Sequence, residues 1–68
     1  MDSRKINDVE PGDMVAVVRN GEERPYKVHA VDVRSDTRGV AYIVTYEDDS
    51  GGTFVEEYPE GFTVSGLS

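Results

Sequence analysis

Turn-forming clusters recur along this chain at intervals of 9 to 15 residues. They are Pro11-Gly12, Asn20-Gly21, residues 35–39 (Ser-Asp-Thr-Arg-Gly), residues 48–52 (Asp-Asp-Ser-Gly-Gly) and Pro59-Glu60-Gly61. The segments between them show no amphipathic helix. Their apolar residues alternate with period two, as strands require. The clusters therefore restrict the fold to short antiparallel strands closed by turns.

The first launch point is Pro11-Gly12-Asp13. Proline presets φ at the second position of a type II turn, and glycine accepts the positive φ of the third. Asp13 is then free to accept hydrogen bonds from nearby amides. The turn opens onto a strand over residues 14–19, where Val15 and Val17 face one side and Met14, Ala16 and Val18 the other. Apolar residues on both sides suit a tightly curled barrel with both faces of the strand partly covered. Before the turn, Ile6 and Val9 are spaced i, i+3, which fits one short turn across a barrel end, and residues 1–8 are expected to be a loosely ordered lead-in.

Asn20-Gly21 is the strongest short turn signal, yet Glu22-Glu23-Arg24-Pro25 delays the next apolar residue. Either the hairpin turns at once with a polar second arm, or a longer loop intervenes. A loop of about six residues is favoured, because Pro25 cannot donate to a ladder. A second strand covers residues 26–34. Its apolar phase switches from Tyr26 and Val28 to Val31 and Val33, and a phase switch inside one strand marks a bulge or sharp bend near Ala30.

The third strand, residues 40–47, sets Val40, Tyr42, Val44 and Tyr46 against Ala41, Ile43 and Thr45. The fourth, residues 53–58, alternates Phe54, Glu56 and Tyr58 against Val55 and Glu57. Val55 is expected inward, because turning Phe54 in would bury Glu56 without a partner. Pro59-Glu60-Gly61 forms a link read as one 3₁₀ turn. The fifth strand spans residues 62–65, with Leu67 closing the barrel end.

The fold class is thus all-β: one domain over residues 1–68, a five-stranded, partly open barrel. Sixty-eight residues leave room for a single core, and a chain this short buries only roughly 60% of its unfolded surface. The absence of cysteine excludes disulfides and thiolate metal sites and accords with a cytoplasmic setting. No stretch reaches the roughly 20 apolar residues of a membrane helix, and no signal-peptide apolar region follows the N-terminus.

The run from Val9 through Pro11, Gly12 and Asp13 to Val15, with Pro59, Gly61, Phe62 and Val64 at the other end, resembles the SH3-like small barrels. The likeness spans roughly residues 9–65. In general look the chain is also similar to small accessory proteins of actinobacteria and their phages. The resemblance implies a binding module. SH3 domains that bind proline-rich peptides carry a consecutive aromatic pair and a Trp, and this chain has neither. Tudor-like barrels read methylated cations with an aromatic cage and an acid.

Candidate partner-binding residues are Tyr42, Tyr46, Phe54 and Tyr58 with Glu47, Glu56 and Glu57. The alternative for the tyrosines is packing against the barrel with their hydroxyls at its rim. The net charge is −7 and uneven: residues 1–38 hold eight acids and seven bases, whereas residues 39–68 hold six acids and no Lys or Arg. That balance argues against nucleic-acid binding, which needs cations at phosphates. It keeps a small domain soluble, or aims an acidic face at a basic protein.

No catalytic set stands out. His29 is the only histidine and sits in a strand. Glu47-Asp48-Asp49 are consecutive, so their side chains diverge, whereas calcium loops space their ligands. Gly51-Gly52 precede no helix and no Lys, so they build no phosphate cradle. No enzyme activity, metal or cofactor is expected. Three functions follow: a module recruiting a protein partner, an acidic inhibitor or DNA mimic, and an assembly subunit acting as a homo-oligomer.

Overall fold

The computed structural model describes residues 2–67. It contains one sheet of six antiparallel strands: β1 (Asp2–Lys5), β2 (Met14–Arg19), β3 (Glu22–Asp36), β4 (Gly39–Glu47), β5 (Thr53–Pro59) and β6 (Thr63–Gly66). Their order in the sheet is β1-β6-β2-β3-β4-β5, and the sheet does not close. A 3₁₀ turn, Ile6–Asp8, joins β1 to the chain leading into β2. No helix among the described residues is long and apolar enough to cross a membrane.

Six strands replace the five expected, because residues 2–5 are not a loose lead-in. They pair with β6 in register Asp2↔Gly66 to Lys5↔Thr63. This strand is held by backbone bonds, and Arg4 adds a 2.9 Å ion pair to Asp13. Nothing in its hydropathy announces it. The link Glu60-Gly61 is an ordinary turn rather than 3₁₀; the 3₁₀ turn lies instead at Ile6–Asp8. It carries fully buried Ile6, and Val9 follows it into the core.

The Pro11-Gly12 turn is type II as read: Gly12 has φ +97°, and the Asp13 amide donates to the Glu10 carbonyl at 3.1 Å. The Asp13 carboxylate accepts from the Glu10 amide at 2.9 Å. The Gly12 amide also donates to the Val28 carbonyl, and the Val28 amide to the Asp13 carbonyl. The turn is thereby stitched to β3.

Residues 20–25 are not a loop. Asn20 and Gly21 form a two-residue turn with φ +54° and +76°, the signature of type I′, and β2 pairs with β3 from Arg19↔Glu22 onward. Ladder bonding alternates from that closing pair, so Ala16↔Pro25 is a non-bonded pair. Proline's missing N–H therefore costs nothing there.

The bulge in β3 falls where the apolar phase switches. Val28 pairs with Tyr46 and Ala30 with Thr45, leaving His29 as the extra residue. It returns Val31 and Val33 to the face of Val28. Inward Val15 and Val17 from β2, Val28, Val44, Tyr46 and Val64 join Ile6 and Val9 in one core. Burying each such aliphatic side chain contributes about 1.5–3 kcal/mol.

The fourth expected strand is turned the other way. Tyr46↔Phe54, Val44↔Glu56 and Tyr42↔Tyr58 share the core face, and Val55 is 58% exposed on the outside. Because β5 ends the sheet, Glu56 reaches water past the open edge and is only half-buried. The expected burial penalty does not arise. At the far end, Leu67 is half-buried and its amide donates to the Met14 carbonyl at 2.8 Å.

Candidate functional site

The seven candidate residues separate onto two faces. Tyr42, Tyr46, Phe54, Glu56 and Tyr58 share the inner face, whereas Glu47 and Glu57 lie on the outer one. Glu57 pairs with Arg34 at 2.8 Å. Glu47 lies 3.3 Å from His29 Nδ1, with both side chains exposed. No single pocket gathers all seven.

The inner aromatics divide again along β4 and β5. At the end near the Asn20-Gly21 turn they are filled in. Tyr46 is fully buried. Phe54 stacks on it at 5.2 Å, and Tyr26 meets Phe54 edge-on at 4.9 Å. The Arg19 guanidinium, projecting inward from β2, covers the Phe54 ring at 3.8 Å. Arg19 thus already supplies a cation to this aromatic cluster from within the chain. It also spans from β2 to β5, with β3 and β4 between them in the sheet, which is a direct mark of the sheet's curl.

The other end is open. Val33, Tyr42 and Tyr58 form one cross-strand row on the inner face, beyond the buried rows. Val33 is 59% exposed, and Tyr42 and Tyr58 are half-buried. Phe62, 45% exposed, packs on Tyr58 with ring centroids 5.1 Å apart. The chain is tied down beside it, because the Ile6 amide donates to the Phe62 carbonyl at 2.7 Å and the Gly61 amide to Asn7 Oδ1 at 3.2 Å. A cleft of about 340 Å³ adjoins Tyr58 and Pro59, lined also by Arg34, Arg38 and Glu57.

Tyr58 links the two ends. Its hydroxyl lies 2.8 Å from that of Tyr46. Burial pushes both phenols above their ordinary range, and the nearby Glu56 charge adds to the rise in each. Two neutral hydroxyls hydrogen-bonded in this way provide no base at neutral pH.

The acids of the 48–52 loop serve the loop itself. Asp48 accepts from the Ser50 hydroxyl, the Ser50 amide and the Gly52 amide, and the Ser50 hydroxyl bond leads in holding its carboxyl below the usual range. Among the described residues, no group of three His, Asp or Glu side chains converges to hold a metal ion.

Sequence reasoning did not include Val33, Phe62 or Arg19 in the site. Val33 was findable: its phase after the bulge is that of Val31, which faces the core. Arg19 was findable as the inward position two residues after Val17. Phe62 carried no such signal, because it precedes its strand rather than lying in it. No family model matches the chain, and neither a curated protein nor a solved structure does.

Proposed function

We propose that this chain is a non-enzymatic SH3-like binding module that recruits a basic, partly apolar protein segment at the open end of the sheet. The observation that carries it is the row of exposed Val33 and half-buried Tyr42 and Tyr58, with the tilted, exposed Phe62 ring packed on Tyr58. Exposed Val33 and Phe62 beside two half-exposed tyrosines suit a contact surface. Glu56 and Glu60 flank Tyr58 in the chain, while Arg34, one of the two arginines lining the adjoining cleft, is paired with Glu57. A segment with Lys or Arg among aliphatic residues complements both properties, its cations meeting the tyrosine rings and carboxylates. The SH3-like assignment draws support from the strand order, in which the last strand sits beside the first strand of the four-stranded meander β2-β3-β4-β5. The cysteine-free chain suits a cytoplasmic setting.

The DNA-mimic reading draws less support. Of the six acids in residues 39–68, Asp48 is engaged by its own loop, Glu47 by His29 and Glu57 by Arg34. That leaves no continuous file of free carboxylates to imitate a phosphate backbone.

Selection of a random peptide library on the immobilised protein tests the proposal. Enrichment of basic, aliphatic-containing peptides is expected, with binding lost in the double variant Tyr58→Ala, Phe62→Ser and retained in Val18→Ser. Enriched peptides that bind the double variant as well as they bind the wild type would contradict it.

A further inference from the structure

The free edge of β5 is self-complementary. Two hydrogen bonds bracket its ladder with β4: the Asp48 amide donates to the Gly52 carbonyl at 3.0 Å and the Glu60 amide to the Val40 carbonyl at 3.3 Å. Antiparallel bonding alternates between them, so Phe54, Glu56 and Tyr58 bond to β4. The N–H and C=O groups of Thr53, Val55 and Glu57 therefore point away from the sheet, and β5 is its terminal strand. Unpaired groups in such a row are a template for another strand.

We infer that two copies of this chain pair antiparallel along β5, with the two-fold axis passing through Val55. In that register Thr53 faces Glu57 of the second copy, Val55 faces Val55, and Glu57 faces Thr53. Every outward group from residue 53 to residue 57 finds a partner. The next bonded pair outward would join Pro59 to Gly51. Proline has no N–H to give, and Gly51 has left the strand with φ +86°, so the ladder stops at both ends.

The side chains agree with this register. Val55, 58% exposed in the single chain, meets its own copy on the outer face. Neither glutamate faces a glutamate: Glu57 faces Thr53, and Glu56 faces Phe54. Arg19 already covers that Phe54 ring, so each Arg19 gains Glu56 of the second copy directly across from the ring it caps. Among the described residues Arg19 has no ion pair within the chain. A register shifted by two residues would place Val55 against Glu57 or Thr53 and forfeit this pairing. The contact shares Glu56 with the proposed partner site but leaves the Val33–Tyr42–Tyr58 row outside residues 53–57, so the dimer presents two such rows.

The contact is a single strand pair, so the dimer is expected to be weak and concentration-dependent. Each copy carries −7, so added salt favours association by screening. Facing bonded residues in an antiparallel pair have Cα atoms about 5.5 Å apart, inside the disulfide range of about 4.4–6.8 Å. The chain has no cysteine of its own.

The test is sedimentation equilibrium up to millimolar protein, joined to oxidation of Val55→Cys and Val18→Cys. Val18 is equally exposed but lies on β2. Wild type is expected to rise from monomer towards dimer mass, more readily in high salt. Val55→Cys is expected to oxidise to a covalent dimer at least tenfold faster than Val18→Cys. Val55→Lys, which sets two like charges on the axis, is expected to stay monomeric while keeping the wild-type circular dichroism. A wild-type monomer at all concentrations, equal oxidation rates for the two cysteine variants, or a Val55→Lys variant that still dimerises would overturn the inference.

Discussion

The hydroxyl of Tyr46 lies 2.8 Å from that of Tyr58, so the fully buried phenol on β4 is satisfied by a half-buried one on the edge strand. This one contact connects the packed end of the inner face to its open end. It sets Tyr46 in the core and Tyr58 at the core's margin, although the sequence offers both as strand tyrosines.

That bond has a pH signature. Burial raises both phenols above their ordinary value, so unfolded chains ionise first, near pH 10. Stability is therefore fully present below about pH 10 and falls as pH rises above it, by up to about 1.4 kcal/mol per pH unit from Tyr46. Urea unfolding across the alkaline range should show that decline. Tyr46→Phe should flatten it while costing about 1 kcal/mol at neutral pH.

The orientation of β5 is tested by a pair of substitutions. Phe54→Ala removes a ring packed between Tyr26, Tyr46 and Arg19, and should cost about 3 kcal/mol. Val55→Thr alters an exposed outer position and should stay within about 0.5 kcal/mol of wild type. Denaturant midpoints of the two variants decide it. Equal losses would mean that the strand is turned over.

Much of this fold was legible beforehand, and the misreadings share a cause. The bulge at His29 announced itself because Val28 and Val31 cannot face one side without an extra residue between them. Pro11-Gly12-Asp13 was legible because each residue does one local job in a type II turn. The misread places were those where a neighbour in the sheet decides. Pro25 looked unfit for a ladder, but it falls at a non-bonded position. Glu56 looked unfit for the inner face, but its strand is an edge. Residues 2–5 lacked hydropathy, yet the backbone of β6 was waiting for them. In the site, Tyr42 and Tyr58 were legible as candidates. Their separation from Glu47 and Glu57 was not, because it depends on which way β5 faces.

The bulge itself can be probed by deletion. Removing His29 shifts Glu22–Val28 by one residue relative to β4 and turns Val28 away from the core. The deletion variant should fail to fold, whereas His29→Ala should lose no more than about 1 kcal/mol. Amide dispersion in a two-dimensional NMR spectrum distinguishes them.

The Asn20-Gly21 turn requires positive φ at both positions. Gly21→Val should cost about 1–2 kcal/mol, and Asn20→Gly should be nearly neutral. Thermal unfolding of the two variants checks the order. A harmless valine would return residues 20–25 to an open loop.

The central functional claim is that the open row Val33–Tyr42–Tyr58, with Phe62, holds a basic partner segment. The most direct measurement is amide and aromatic shift mapping of the labelled protein as a Lys- and Leu-containing extended peptide is added. The account predicts saturable shifts centred on Val33, Tyr42, Tyr58 and Phe62, weakening as salt rises. Shifts centred elsewhere, or none in this row at saturating peptide, would contradict it.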